Sequence, residues 1–162
     1  MLALGVDPGT AVTGYGVVRL GDRQQMQLVE CGVIRTRARE PLAVRLEEIF
    51  DGISSVIRRH APTAVALEDV FYARNVRTTV ALGHARGVIM LAAQRAGLGV
   101  HEFPPAEVKK AVVGSGTASK EQVQFMVARL LRLASPPTPA DASDGVAAAI
   151  TLLMRAHLPA LR

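Results

Sequence analysis

An α/β fold is predicted for this 162-residue chain: a mixed five-stranded sheet, its first three strands antiparallel, flanked by helices. Three features of the sequence predict it. Three β-rich runs joined by short turns fill the first third of the chain. A segment with helical spacing then separates the first apolar run from a second one, and a fifth β-rich run is followed by helical segments only.

The first strand is Leu2–Asp7 (LALGVD), closed by the turn Asp7-Pro8-Gly9-Thr10, where proline sets φ and glycine tolerates unusual values. Gly14–Leu20 is the second strand; a Gly21-Asp22 step leads to the third, Met26–Thr36, and short turns between consecutive strands imply an antiparallel meander. Over Pro41–His60, Leu42, Leu46, Ile49, Ile53, Val56 and Ile57 recur on one helical face, and Ala61-Pro62 stops the helix. Thr63–Glu68 is the fourth strand. A strand, helix and strand in succession favour a parallel pair with a right-handed crossover, which brings Asp7 and Glu68 to the same carboxyl edge. Ligands of open α/β sheets bind outside that edge.

A long helix is expected over Asn75–Ala96, ended by Gly97, and then a fifth strand over Val100–Phe103. Pro104 and Pro105 open a short helix carrying Lys109 and Lys110. The Gly114-Ser115-Gly116-Thr117 loop leads to a helix from Ser119 to Leu133, and the last helix runs from Ala140 to His157. With no repeat or interdomain linker, residues 1–162 read as one domain.

The chain is 49% hydrophobic and 20% charged, with no tryptophan, so its core must rely on Val, Leu, Ile and Ala. Its net charge of +5 and pI near 10.1 suit a polyanionic partner. The single cysteine, Cys31, has no partner for an internal disulfide or a cysteine zinc site, and its place in a β-rich run points to burial. The sequence shows neither a secretory leader nor an uninterrupted apolar stretch of membrane-spanning length, so a cytoplasmic location without membrane attachment is expected.

Two apolar strands stop on acids, Asp7 and Glu68, and Asp141 and Asp144 open the last helix on one side of it. Carboxylates brought together repel unless protonated or bridged by a cation. Four of them are enough for a pair of Mg2+ ions, which prefer oxygen donors and in-line phosphoryl chemistry. Each acid also has an ordinary reading. Asp7 can serve the turn at Pro8, Glu68 can be a solvated strand end, and Asp141 and Asp144 can favour a helix N-terminus.

The segments GVDPGTAVTGYGVV, ALEDVF with Asn75 following, LGHARG, VKKAVVGSGTASKEQV and DASDGVAAAIT occur in this order from Leu2 to Thr151. Together they resemble the RuvC family of Holliday-junction resolvases. The resemblance implies a ribonuclease-H-like fold and a homodimeric, metal-dependent endonuclease. Such an enzyme cuts four-way DNA junctions with paired symmetric nicks in recombination and repair, leaving 5′-phosphate and 3′-hydroxyl ends. It also implies the RuvA–RuvB branch-migration complex as a partner. By motif, Asp7, Glu68, Asp141 and Asp144 match the metal-binding catalytic acids, with Mg2+ as the expected cofactor and Mn2+ compatible with the same ligands.

Asp141 stands where some relatives carry His, Gly145 replaces a common Ala and His84 a common Gln; the missing Gly145 side chain would ease access to the ions. Lys109 and Lys120 match two lysines that act beside the scissile phosphate. Phe71 matches an aromatic that stacks on an unpaired base, and Tyr72, Arg74, Arg77 and Lys110 are further candidate DNA contacts. Arg35, Arg37 and Arg39 extend the basic footprint. The helix of Gly83 and Gly87 matches the family's dimer seam, although those glycines could equally admit the protein's own sheet. Two other readings share parts of this pattern. Sugar kinases and actin-like ATPases also follow a first strand with an acid and a glycine, but they need a second, similar domain. A noncatalytic junction-binding module, or a short resolvase-like protein of RNA processing, would keep the fold with a different activity.

Overall fold

The structure, a computed structural model, describes residues 1–69 and 75–157. Strands β1 (Leu2–Asp7), β2 (Val12–Leu20), β3 (Met26–Arg35), β4 (Ala64–Glu68) and β5 (Gly99–Phe103) form one sheet in the order β3-β2-β1-β4-β5. β1–β2 and β2–β3 are antiparallel, whereas β1–β4 and β4–β5 are parallel. The expected mixed sheet is therefore the observed one. β2 begins at Val12, ahead of the expected Gly14, because Thr13 is anchored by the preceding turn. Its buried hydroxyl donates to the Gly9 carbonyl at 2.7 Å and accepts from the Gly9 N–H at 3.4 Å.

Five helices cover the sheet: α1 (Leu42–His60), α2 (Val76–Arg95), α3 (Pro105–Val113), α4 (Lys120–Leu130) and α5 (Ala140–His157). Alternation along the strands divides the core into two layers. Leu4, Val6, Val17, Val65 and Leu67 pack against α1 and α2, with Ile49, Ile53 and Ile89. Ala3, Val18, Ala64 and Ala66 face α3, α4 and α5, with Val127, Ala149 and Ile150. Leu42, expected on the buried face of α1, is exposed at the helix start.

The helix ends follow local chemistry. The Asn75 side chain caps α2 by accepting the Arg77 N–H at 2.9 Å. Ser119 and Gln122 close a reciprocal capping box at the start of α4. α4 ends at Leu130 rather than Leu133. Arg132 takes a positive φ of 55°, its N–H reaches the Arg129 carbonyl at 3.2 Å, and the Leu133 N–H reaches Ala128 at 2.8 Å. That two-bond closure satisfies the last carbonyls without glycine.

α5 lies with its backbone almost on the sheet. A Cβ at Gly5 would stand 2.0 Å from the Gly145 carbonyl oxygen, and one at Gly14 would stand 1.8 Å from that of Asp141. On the helix side, a Cβ at Gly145 would meet the Tyr15 Cα at 2.6 Å. The missing side chain at Gly145 thus seats the helix on β2, correcting the expectation that it opens a path to the acids. On the opposite face Glu30 ties β3 to β2 and α1. It accepts from the Tyr15 hydroxyl at 2.8 Å, contacts His60 Nε2 at 2.7 Å and pairs with Arg59.

Two measurements probe this frame. Gly5→Ala drives a methyl into helix backbone that has no free end to move, so urea unfolding should show a loss of about 3 kcal/mol. Wild-type stability would mean that α5 is not seated as described. The Glu30 carboxyl is held down from 4.5 to about 2, first by its hydrogen bond from Arg59 and then by those from Tyr15 and His60. Its folded pKa is below the unfolded one, so its contribution is complete above pH 4.5 and fades as pH falls toward 2. Melting temperatures should place Glu30→Gln below wild type at pH 7, with the gap narrowing below pH 4.5; a constant gap would count against the network.

Candidate active site

Asp7 and Glu68 are the last residues of β1 and β4, and parallel pairing of Val6 with Leu67 sets them side by side at one sheet edge. By alternation each faces the α5 layer, as Ala3 and Ala66 do. Asp7 pairs across the antiparallel ladder with Gly14, and Gly14 lies against the backbone carbonyl of Asp141. Ladder register and helix seat together therefore carry the first turn of α5 to the end of β1. Asp7, Asp141 and Asp144 can each present a carboxylate oxygen, all within 4.8 Å of one another. Glu68 is not a member of that trio but lines the same cleft of about 280 Å3 with Asp7 and Asp144.

Lys109 of α3 and Lys120 at the start of α4 also line the cleft, whose apolar wall includes Val108, Val123 and Ala147. Lys120 Nζ lies 2.7 Å from Asp144 Oδ2, and this bond holds the ammonium above its usual range. Two of the acids are pushed up as well, toward their neutral form. The Asp7 carboxyl rises from 3.8 to about 7, first through burial and then through Asp144 and Asp141, with Lys120 opposing. Glu68 rises from 4.5 to about 8, again first through burial and then through Asp7 and Asp144, against Lys120 and Lys109. Near neutral pH the cluster therefore retains protons that a divalent cation can replace. The trio supplies oxygen donors alone, the set that suits Mg2+ or Mn2+ rather than a softer metal.

The turn after Asp7 is fastened from a distance. Arg45 Nη2 of α1 donates to the Thr10 carbonyl at 2.6 Å, as does the Thr36 hydroxyl at 2.6 Å, and Arg45 Nε donates to Thr36 at 3.0 Å. These residues escape a sequence reading because the latch joins three separated segments and matches no local motif. Arg86 is a second such residue. It lies inside the LGHARG segment but is recognisable only through its two carboxylate partners, Asp69 and Glu102.

The other sequence candidates fall in different places. Lys110 is exposed on α3 and does not line the cleft; Arg77 is exposed in the first turn of α2. Phe71, Tyr72 and Arg74 lie outside the described residues. Arg35 and Arg39 are exposed, whereas Arg37 is engaged by Glu48 at 2.6 Å and by Glu40 at 3.8 Å. His84 is exposed on α2, away from the acids' cleft. Cys31 is half-buried against the α5 layer, and burial pushes its thiol up.

The family model for the crossover junction endodeoxyribonuclease RuvC matches residues 3–152. A RuvC from Heliobacterium modesticaldum is 49% identical over 151 residues, covering 93% of this chain and 92% of the relative. One from Pelotomaculum thermopropionicum is 47% identical over 150 residues, covering 93% and 91%. Among solved structures, Thermus thermophilus RuvC in complex with a Holliday junction substrate superposes with a TM-score of 0.88 at 32% identity, covering 96% of this chain and 95% of that one. The yeast mitochondrial Holliday junction resolvase, at 11% identity and a TM-score of 0.68, shares the fold. The fold is thus ribonuclease-H-like, as the sequence motifs implied. With a family model spanning nearly the whole sequence and relatives close to half identical, this chain belongs to the RuvC family of crossover junction endodeoxyribonucleases.

Proposed function

We propose that this protein is a Holliday-junction resolvase of the cytoplasm that nicks two symmetry-related strands of a four-way DNA junction as a homodimer, beside the RuvA–RuvB branch-migration machinery. The observation that carries the reading is the meeting of Asp7, Asp141 and Asp144 within 4.8 Å, two of which, Asp7 and Asp144, line a cleft together with Glu68, Lys109 and Lys120. A deep acidic cluster in a chain of net charge +5 suits a polyanion that is bound by surface cations and cut where metal is held.

Asp7, Glu68, Asp141 and Asp144 are the residues that would hold Mg2+, two ions in this reading, with Mn2+ compatible with the same oxygens. When bound, the metal supplies Lewis acidity that activates the attacking water and offsets charge on the phosphate and leaving oxygen. The remaining work belongs to the chain. Lys120, already beside Asp144, is placed to neutralise a non-bridging phosphate oxygen, and Lys109 approaches from the α3 wall. Water oxygen bonds to phosphorus, the P–O3′ bond breaks, and the 3′ oxygen takes up a proton. The products are a 5′-phosphate and a 3′-hydroxyl.

The homodimer rests on α2. Val76 (76% exposed), Val80 (53%) and Leu91 (51%) form one helical stripe with Gly83 and Gly87. Among the described residues, nothing outside the helix's own backbone lies within 4 Å of a Cβ placed at either glycine, so these positions do not serve the protein's own sheet. Joining two copies through this stripe would bury it and present two equivalent clefts to a twofold junction.

The decisive experiment incubates a labelled four-way junction with Mg2+. Wild type should give paired nicks carrying 5′-phosphates. Asp7→Asn should bind the junction and leave it uncut, since losing one negative charge need not weaken DNA binding; cutting at the wild-type rate would remove Asp7 from the mechanism. A second test reads assembly. Val80→Glu combined with Leu91→Glu should shift sedimentation to the monomer and convert paired nicks to isolated ones. A variant that remains dimeric would move the seam elsewhere.

A further inference from the structure

We infer that Arg86 is a positioning residue for the cleavage site, fixing Glu68 by clamping the neighbouring residue and the adjacent strand from the opposite face of the sheet. Of the two strand-borne acids, Glu68 has the weaker support from the sheet. β1–β4 pairing stops at Val6 and Leu67, which leaves Asp7 paired with the inner strand β2 and Glu68 only with β5, in the final pair with Phe103. β5 is itself the end strand, bounded by β4 on one side alone. One further backbone bond, from the Asp69 N–H to the Phe103 carbonyl at 2.8 Å, closes the ladder.

Arg86 braces this point. Its Nη1 donates to Asp69 Oδ1 and its Nη2 to Glu102 Oε2, so one planar guanidinium links the end of β4, the end strand β5 and the body of α2. The Arg86 side chain is 15% exposed, shielded enough for both pairs to hold it in a defined place. Side chains alternate across a strand, so when Glu68 faces the cleft, Asp69 faces α2. Holding Asp69 by its carboxylate and its amide sets the backbone from which Glu68 projects. Lysine carries the same charge but offers a point rather than a fork, and cannot reproduce a bridge between two carboxylates on different strands.

This inference rests on the reading of Glu68 as a metal-holding acid, and its test separates the two. Arg86→Lys keeps the charge and alters the geometry. Mn2+ binding to the DNA-free variant, measured by calorimetry, should weaken by about tenfold. Junction cutting should fall by a comparable factor and recover in part at raised Mg2+, with metal-free junction binding unchanged. A merely structural role would lower the melting temperature but leave the metal affinity of the folded protein at the wild-type value, and that result overturns the inference. If Arg86→Lys does not fold, Glu102→Gln removes only the β5 arm and should give a smaller shift in the same direction; unchanged affinity there is equally fatal. Wild-type protein that binds Mn2+ but leaves junctions intact would instead refute the resolvase reading, while the calorimetric comparison would still decide the role of Arg86.

Discussion

The near-contact between the α5 backbone and the sheet is the constraint on which the cleft depends. Where Gly5 and Gly14 leave the sheet surface bare, the helix comes close enough for the Asp141 carbonyl to occupy the space a Gly14 side chain would fill. Gly14 is also the ladder partner of Asp7, so one steric fact delivers the first turn of α5 to the tip of β1. The small residues lining this layer, including Ala142, Ala147 and Ala149, continue the same economy of volume along the helix. A bulkier seat would lift α5 away and move its acids from Asp7, even with every acidic residue still in place.

That convergence works against stability. Three carboxylates within 4.8 Å of one another, if fully ionised, repel by about 3 kcal/mol per pair at an effective dielectric of about 20. Summed over the pairs, this approaches the whole stability of a typical domain, about 5–15 kcal/mol. The fold tolerates the arrangement because the charges need not all be present at once. Asp7 and Glu68 keep their protons to about pH 7 and 8, and Lys120 compensates Asp144 directly. A cation displacing those protons would convert the strain into binding energy, which is why the rigidity supplied by the helix seat belongs to the chemistry as well as to the fold.

What was legible in the sequence was whatever depends on local pattern. Helical spacing together with turn, proline and glycine signals located the ten elements of the described residues, and one crossover argument sufficed to bring Asp7 and Glu68 to a shared edge. The spacing of Asp141 and Asp144 was equally plain. The seat itself was not legible: Gly14 read as a strand start and Gly145 as an opening, because their function lies in atoms from another segment. The end of α4 was misplaced for a related reason: Arg132 adopts a conformation for which glycine is the usual marker.

The four acids are held by different means. Asp7 pairs with Gly14 of β2, an inner strand, and Asp141 and Asp144 ride on a helix pressed into the sheet, but Glu68 pairs only with β5, an end strand. The cleft is bordered by an inner strand pair on the Asp7 side and by the end-strand pair on the Glu68 side. In its inferred role Arg86 braces the Glu68 side from behind, and it is not among the residues that line the cleft. Placing the brace on the far face also keeps its positive charge away from the cleft acids, unlike Lys120, which pairs with Asp144. Geometry is thus secured by one set of cations and charge by another, and the sheet between them keeps the two tasks apart.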